Sequence, residues 1–387
     1  MTVGGYRVRI LRRATLPGWE AALFSVLALG VGLFLFGFVF LFAGASPMQA
    51  YQEIFRYAFF NANGIPLTMS RFIFLALSTY AFIVPFRAGE WNIGMTGQIY
   101  MGGLAAYAVV YAFGGKVSKD VPLNPALVLP LMVLAAALGG ALMGGIAGYL
   151  KGRWDVNEIV VTMMLNFIAF WLVSHMIKDG GPFMNVGGRG EGFTLPTSLR
   201  APTVLGMPFT ILFVLVLAGA LEFLFARTSL GYQIRAAGLS SKAARYAGMD
   251  TTRISLWVFL LGGGIAGLAA YHYFAAVPGV YKIPRNYGEF GDLAFFGIIC
   301  GLIALGNPLA TLPVALLFGG LSIGGRYAQG KLHLGFGVDY ALMGVLMITL
   351  VAFQFFYRYR IVVEPLAPEP RPSGTPAPSD LASYGGE

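Results

Sequence analysis

Two glycine-rich stretches have the spacing of nucleotide-binding motifs, but neither has the residues that the chemistry requires. The spacing of a phosphate-binding loop is present at residues 325–331, yet Leu332 stands where a Ser or Thr must bind the magnesium ion. The dinucleotide pattern is matched by Gly262, Gly264 and Gly267, which lie inside an apolar run rather than between a strand and a helix. The sequence therefore predicts no nucleotide site at either stretch.

Residues that could act as acids, bases or metal ligands are few and isolated. The three histidines, His175, His272 and His333, are far apart and have no carboxylate or cysteine at ligand spacing. Glu222 lies near the end of an apolar run and is followed by Arg227, which favours a paired carboxylate over a proton relay. We therefore predict no catalytic residue, no metal site and no cofactor bound to this chain.

The composition explains why such residues are rare. Of the 387 residues, 57% are hydrophobic and 11% are charged, and the mean hydropathy is +0.72. A soluble domain carries about 25% charged residues, so this chain could not coat a soluble fold. The charged residues form short clusters between long uncharged runs, as the cost of burying charge in hydrocarbon requires. The sequence predicts an all-α, polytopic membrane helix bundle.

About ten apolar runs have a length that suits a membrane crossing of about 30 Å. The predicted spans are residues 21–45, 66–86, 91–113, 123–149, 159–177, 208–226, 254–276, 293–306, 309–325 and 338–357. The first run is too long for the apolar core of a signal peptide. The distribution of Lys and Arg places both termini in the cytoplasm. We expect a cytoplasmic segment at 1–20, a transmembrane domain at 21–358 and a disordered cytoplasmic tail at 359–387.

Small residues at intervals of four mark three of these runs. The patterns lie within residues 140–148, 263–267 and 320–324. Glycines at this spacing let helix backbones approach closely in lipid. The sequence therefore predicts a tightly packed bundle.

Polar residues interrupt several of the predicted spans. Segment 87–98 combines three glycines with amide and hydroxyl side chains, and similar interruptions begin at residues 157 and 306. Irregular backbone persists at membrane depth only where it lines a cavity or is buried in protein. Each interruption is alternatively a turn at the membrane surface.

A basic loop at residues 228–250 connects the sixth and seventh predicted spans. Its sequence predicts a short helix with Ser at one end and Gly at the other. A compact basic helix between two spans is suited to docking on another protein. The alternative is a basic loop that only sets the topology, which needs no ordered sequence of this kind.

Four segments carry a family resemblance. They are RAGEWNIGMTGQ at 87–98, NEIVVTMMLNFIA at 157–169, TSLGYQIRAAGLSSKAARYAGM at 228–249 and GIICGLIALGNPLATLPVALLFGG at 297–320. In this order they resemble ABC importer permeases of the branched-chain amino acid, ribose and simple-sugar superfamily. The likeness covers about residues 20–358 and is greatest to nucleoside and simple-sugar importer permeases. One departure is Thr96, which stands where the family motif usually has Glu.

The resemblance implies a subunit without its own ATPase site. Its expected partners are a cytoplasmic ABC ATPase that uses ATP, a second permease and an external substrate-binding protein, with a heterodimer favoured over a homodimer of permeases. Loop 228–250 would dock in a cleft of the ATPase through Arg235, Lys242, Ala243, Ala244, Arg245 and Gly248. The translocation pathway would be lined by Asn92, Thr96, Gln98, Asn166 and Asn307. Their neutral amides and hydroxyl suit a nucleoside or a related simple sugar.

Other interpretations remain open at this point. An importer of branched-chain amino acids would want a charged partner for the zwitterion. An ion-coupled secondary transporter should carry intramembrane carboxylates or histidines, for which Glu222 and Asp339 are poor candidates. A membrane-embedded enzyme would need a cluster of acid, base, nucleophile or metal ligands, which this sequence lacks.

Overall fold

The fold is that of a computed structural model of the chain. It describes residues 2–3, 6–12, 18–116, 124–178, 180–185, 187, 190–204, 206–284 and 289–365. The described chain is predominantly helical, which confirms the predicted class. The helices are α1 (Gly18–Phe42), α2 (Pro47–Phe60), α3 (Gly64–Arg87), α4 (Met95–Ala112), α5 (Pro125–Trp154), α6 (Glu158–Ile177), α7 (Ile211–Arg227), α8 (Ser229–Leu239), α9 (Ser241–Tyr246), α10 (Thr251–Tyr271), α11 (Glu289–Ile303), α12 (Pro308–Lys331) and α13 (Val338–Arg358).

Short elements complete the described chain. Helix α10 continues into a π-helical turn, His272–Ala276, and a 3-10 turn covers Thr197–Leu199. The strands are β1 (Thr2–Val3), β2 (Tyr6–Arg12), β3 (Thr203–Val204), β4 (Met207–Pro208) and β5 (Tyr359–Pro365).

Several helices begin where the sequence supplies a capping side chain. The amide oxygen of Asn124 accepts a hydrogen bond from the backbone N–H of Ala126 at the start of α5. That of Asn157 accepts from Ile159 at 2.9 Å at the start of α6. Such side chains satisfy N–H groups that lack an intrahelical partner. These residues therefore fix where the helices begin.

Membrane crossing is supported by helix length and apolar composition. Six of the described helices qualify, namely α3, α5, α6, α10 with its π-helical turn, α12 and α13. The bent pairs α1–α2 and α7–α8 raise the number to eight if each pair is one span. A multi-pass bundle is therefore present, whereas the predicted count of about ten spans is not confirmed. Helix α4 falls short because its 18 residues include Thr96, Gln98 and three tyrosines.

The two ends of the chain meet in a small antiparallel sheet. Strand β2 pairs with β5 from Tyr6 opposite Pro365 to Arg12 opposite Tyr359. The sequence placed residues 359–387 in a disordered tail, and this is wrong for residues 359–365. Alternating Tyr, Ile and Val residues give this stretch a strand pattern that the prolines beyond it obscure. The remainder of the tail, 366–387, lies outside the described residues.

Hydrogen bonds define one end of the bundle, which we call the Arg87 end. Arg87, the last residue of α3, donates through Nε to the carbonyl oxygen of Gly306 at 2.7 Å, just before α12. Thr252 in the first turn of α10 donates to the carbonyl oxygen of Gly152 near the end of α5 at 2.8 Å. Helices α3 and α5 therefore end where α10 and α12 begin.

Helices α5 and α10 pack backbone against backbone, as the glycine spacing predicts. A Cβ atom built on Gly267 would overlap the carbonyl oxygen of Ala136, and one built on Gly140 would overlap that of Gly263. These positions admit no side chain. The same glycines that match a dinucleotide pattern are therefore used for helix packing.

We expect Gly267→Ala to lower the melting temperature of the purified protein in detergent by several degrees. The added methyl group must separate α5 from α10, and overpacking of this kind costs about 1–3 kcal/mol. The matched control is Gly344→Ala in α13, where a Cβ has nothing within 4 Å. Equal melting temperatures of the two variants would contradict the close contact.

Candidate functional site

The first polar interruption is a non-helical segment between α3 and α4. Within it, Asn92 Nδ2 donates to Gln98 Oε1 at 2.9 Å, and Gln98 Nε2 donates back to Asn92 Oδ1 at 3.0 Å. Asn92 Oδ1 also accepts from the backbone N–H of Gly94 at 3.2 Å. Both side chains are buried. The two amides satisfy each other, which holds the interrupted chain against the first turn of α4.

The second interruption is joined to the first by Asn166 of α6. Asn166 Oδ1 accepts from the backbone N–H of Gly97 at 2.7 Å, and its Nδ2 donates to the carbonyl oxygen of Ile93 at 3.0 Å. The first N–H groups of a helix have no partner within that helix. Asn166 therefore caps α4 from a neighbouring helix.

Four of the five residues predicted to line a pathway thus lie together. Asn92, Gln98 and Asn166 form the hydrogen-bonded group, and Thr96 is buried in the first turn of α4. Asn307 is placed elsewhere, at the start of α12, where its Oδ1 accepts from Leu309 at 2.9 Å. Arg87 binds the adjacent Gly306 through its Nε and so connects the third interruption to the first.

The basic loop forms two helices, α8 and α9, rather than the single short helix expected. Thr228 Oγ1 accepts from the backbone N–H of Gly231 at 3.0 Å and begins α8, which bends away from α7 by 74°. Ser240 Oγ accepts from Ala243 at 3.2 Å and begins α9. The loop contains two capping hydroxyls, and each one starts a helix.

The six predicted docking residues differ in exposure. Lys242, Ala243, Arg245 and Gly248 are exposed, whereas Ala244 is buried. Arg235 is half-buried and donates to the carbonyl oxygen of Phe225.

Two residues of the same loop were missed by the sequence analysis. Leu239 and Tyr246 are 90% and 94% exposed, far more than large hydrophobic side chains usually are in a folded chain. Lys242 and Tyr246 are four residues apart in α9, and that spacing could have identified Tyr246, whereas Leu239 ends α8 and is marked by no such pattern.

A cavity of about 830 Å³ opens at the Arg87 end beside these helices. It is lined by Ala88, Gly89, Glu90, Lys151, Gly152, Asp155, Glu158, Ala237, Gly238, Leu239, Ser240, Ser241, Lys242, Arg245, Tyr246, Thr251, Ile254 and Ser255. Lys151 Nζ lies 2.8 Å from Asp155 and 3.2 Å from Glu158, so basic and acidic groups are paired on its wall. The cavity brings the interrupted segment and the basic loop to one place.

Glu90 is the buried carboxyl group of this cavity. Ser255 Oγ donates to its Oε1, while its Oε2 has no hydrogen-bond partner among the described residues. Burial raises the pKa of Glu90 from 4.5 to about 7, and the negative charge of Glu158 contributes in the same direction. Lys151 acts in the opposite sense on Asp155, whose pKa it lowers.

Comparison with known proteins identifies the class. Residues 61–351 match the family described as branched-chain amino acid transport system / permease component. The chain is 31% identical over 376 residues to the glucose ABC transporter permease protein of Haloferax volcanii, covering 90% of this chain and 92% of that protein. It is 25% identical over 362 residues to the nucleoside ABC transporter permease protein of Lactococcus lactis, covering 90% and 93%. The guanosine ABC transporter permease protein of Bacillus subtilis is 29% identical over 311 residues, covering 78% and 85%.

The chain therefore belongs to this family of transport permeases. It is the membrane-spanning subunit of an ABC transporter, as its four motifs predicted. Membership in an ABC transporter implies an ABC ATPase as a partner.

Substitution of Glu90 by Gln should change the pH dependence of stability. A carboxyl group with a raised pKa binds its proton more tightly in the folded state, so its contribution to stability is lost as the pH rises from about 4.5 to about 7. Glu90→Gln removes this loss, and we expect the variant to gain roughly 2 kcal/mol on the wild type between pH 5.5 and pH 8. Melting curves at the two pH values measure the difference.

The control for this experiment is Asp155→Asn. Asp155 is exposed and has a lowered pKa, so its substitution should shift stability by the same amount at both pH values. A Glu90→Gln variant that also shows no pH-dependent difference would contradict a raised pKa of Glu90.

Proposed function

We propose that the chain is the permease subunit of an ATP-driven importer for a nucleoside or a related simple sugar. The observation that carries this proposal is the similarity, over 90% of the chain, to permeases named for glucose and for nucleosides. The polar group at the helix interruption agrees with it. Asn92, Thr96, Gln98 and Asn166 carry no charge, and the three amides bond to one another and to backbone groups rather than to a solute. They therefore form an uncharged segment beside the pathway, which agrees with a neutral solute.

In this proposal the chain crosses the membrane ten times, through α1, α3–α7 and α10–α13, with both termini in the cytoplasm. The pairing of β2 with β5 supports an even number of crossings, since it brings the chain before α1 to the chain after α13. The basic residues Arg87, Lys151 and Arg227 end α3, α5 and α7 on the face that the positive-inside rule makes cytoplasmic.

The ATPase docks on α8 and α9. ATP binds to the ATPase subunit and is hydrolysed there. Leu239 and Tyr246 offer exposed apolar area, while Lys242 and Arg245 offer charges for acidic groups of the partner. Arg235 and Ala244 support these helices from within rather than touch the ATPase. Gly248, with a φ of +81°, ends α9 and shapes the surface.

The pathway runs beside the interrupted start of α4. A second permease completes it, and this permease is a different chain, so that the two form a heterodimer. An external binding protein delivers the solute to it. Four of the predicted residues, Asn92, Thr96, Gln98 and Asn166, border this pathway. They maintain the non-helical segment between α3 and α4 beside it. Asn307 caps α12 at the Arg87 end and contributes by positioning the start of that helix.

Uptake by the complete complex tests the solute class. We expect proteoliposomes with the ATPase, both permeases and the binding protein to accumulate labelled guanosine or glucose when ATP is enclosed on the ATPase side. An ion gradient without ATP should drive no uptake. Accumulation of leucine instead would favour the amino-acid importer, and uptake by the isolated chain with an ion gradient alone would overturn the proposal.

The docking surface is tested by Tyr246→Ser. Loss of an aromatic anchor at the centre of an interface costs about 2 kcal/mol or more, so the ATPase should co-purify with the variant at a small fraction of the wild-type amount. The matched control is Phe336→Ser, which removes a 97% exposed aromatic side chain that lies outside α8 and α9. Equal recovery of the ATPase with both variants would place the docking surface elsewhere.

A further inference from the structure

Helix α8 contacts the turn at residues 87–89, which begins the interrupted segment, through backbone atoms. A Cβ built on Gly89 would lie 3.3 Å from the Cα of Gly238 and 3.4 Å from its carbonyl oxygen. A Cβ built on Gly238 would overlap the carbonyl oxygen of Arg87. Gly89 also has a φ of +78°, a conformation that other residues rarely adopt. The contact therefore requires that neither glycine carry a side chain.

Arg87 connects the same turn to two other parts of the Arg87 end. Its Nε donates to the carbonyl oxygen of Gly306, between α11 and α12. Its guanidinium carbon lies 5.1 Å from the ring centre of Phe225 in α7, a cation–π contact. The carbonyl oxygen of Phe225 in turn accepts from Arg235 of α8. Helix α8 is thus fixed to the turn both directly and through the end of α7.

The following residues connect the turn to α10, α6 and the amide group. Glu90 accepts from Ser255 in the first turns of α10. The backbone N–H of Trp91 donates to Glu158 Oε1 at 3.4 Å, at the start of α6. Asn92, the next residue, forms the amide pair that holds the start of α4. Two residues, Glu90 and Trp91, therefore lie between the α8 contact and Asn92, the first residue of the predicted pathway.

A contact between two backbones has no side-chain rotamer that can absorb a displacement. Packed elements respond to such a displacement by moving as rigid bodies between discrete arrangements. The exposed side chains of Leu239 and Tyr246 lie on α8 and α9 themselves. A partner that moves these two helices must therefore move the turn or break the contact.

We propose that the backbone contact between Gly238 and residues 87–89 positions the interrupted start of α4 in response to movement of α8 and α9 by the ATPase. The hydrogen bond between Ser255 and Glu90 keeps the turn attached to α10 during this movement. This inference rests on the proposed function, because it requires an ATPase docked on the two helices. None of these residues touches the solute, and each acts through the turn.

The substitution Gly238→Ala tests the contact. Its methyl group must push α8 away from the carbonyl oxygen of Arg87, while the exposed docking side chains remain. In proteoliposomes with the complete complex, we expect the ATPase to be retained and to hydrolyse ATP. The amount of labelled guanosine or glucose imported per ATP should fall about tenfold.

The matched control is Gly219→Ala in α7, where a Cβ has nothing within 4 Å. It should import as much solute per ATP as the wild type. If Gly238→Ala also stays within about twofold of the wild-type ratio, the contact does not transmit movement and the proposal is overturned.

A second pair of variants does not depend on the assembly of Gly238→Ala. Ser255→Ala removes the hydroxyl that anchors Glu90, whereas Ser255→Thr keeps it. We expect the first to lower import per ATP several-fold and the second to restore it. A purely structural role would change the melting temperatures without changing this ratio, and that result would also overturn the proposal.

The two levels of inference fail in different ways. If the wild-type complex imports neither labelled solute, the proposed function fails. If the wild-type complex imports solute, and either Gly238→Ala or Ser255→Ala imports as much solute per ATP as the wild type, only the positioning role fails.

Discussion

Asn92 and Gln98 hydrogen-bond through both of their amide groups where the chain passes from α3 into α4. Both side chains are buried, so their polar groups must find partners within the protein. An interrupted helix exposes several N–H groups at once. The amide pair, together with Asn166 from α6, supplies the partners, because an amide can donate and accept at the same time. The positions of α3, α4 and α6 relative to one another follow from this requirement.

The position of the amide pair has a second consequence at the Arg87 end of the bundle. The chain reaches the amide pair directly from α3, so the turn between them has to pass under α8, and it does so with glycine on both sides of the contact. A larger residue on either side would separate the two segments. The cavity next to this contact contains paired charges and one buried carboxyl group, Glu90. The cavity is lined both by groups that link the helices and by exposed side chains of α8 and α9, among them Leu239 and Tyr246.

Close packing of α5 against α10 supports this arrangement from the other side. Glycines at intervals of four let the two backbones meet, and this fixes α10, whose first turns contain Ser255. Lipid offers helices little hydrophobic reason to associate, so such van der Waals contacts carry much of the stability of the bundle. The same helix carries Ser255, which donates to Glu90.

Much of this protein was predictable from the sequence because some residue types have few uses in a membrane. Long uncharged runs predict helices in hydrocarbon, and Asn157, Thr228 and Ser240 start helices by a local rule that needs no knowledge of the fold. The interruption at 87–98 was visible because glycines and amides are costly in a span. Its role in the pathway stays a prediction, but the helices on either side of it were predicted from the apolar runs alone.

The tertiary structure decided what the same residues touch. Asn92 and Gln98 are paired with each other, whereas Asn307 caps α12, although all three are amide side chains at polar interruptions. The pairing of β2 with β5 and the contact of Gly89 with Gly238 join positions remote in the chain. Exposure of Leu239 and burial of Ala244 likewise depend on which face of each short helix meets the bundle. Local rules determined where helices begin and which segments cannot be ordinary spans. Which residues contact one another was decided only by folding, because hydrogen bonds and backbone contacts depend on distances in space and not on separation along the chain.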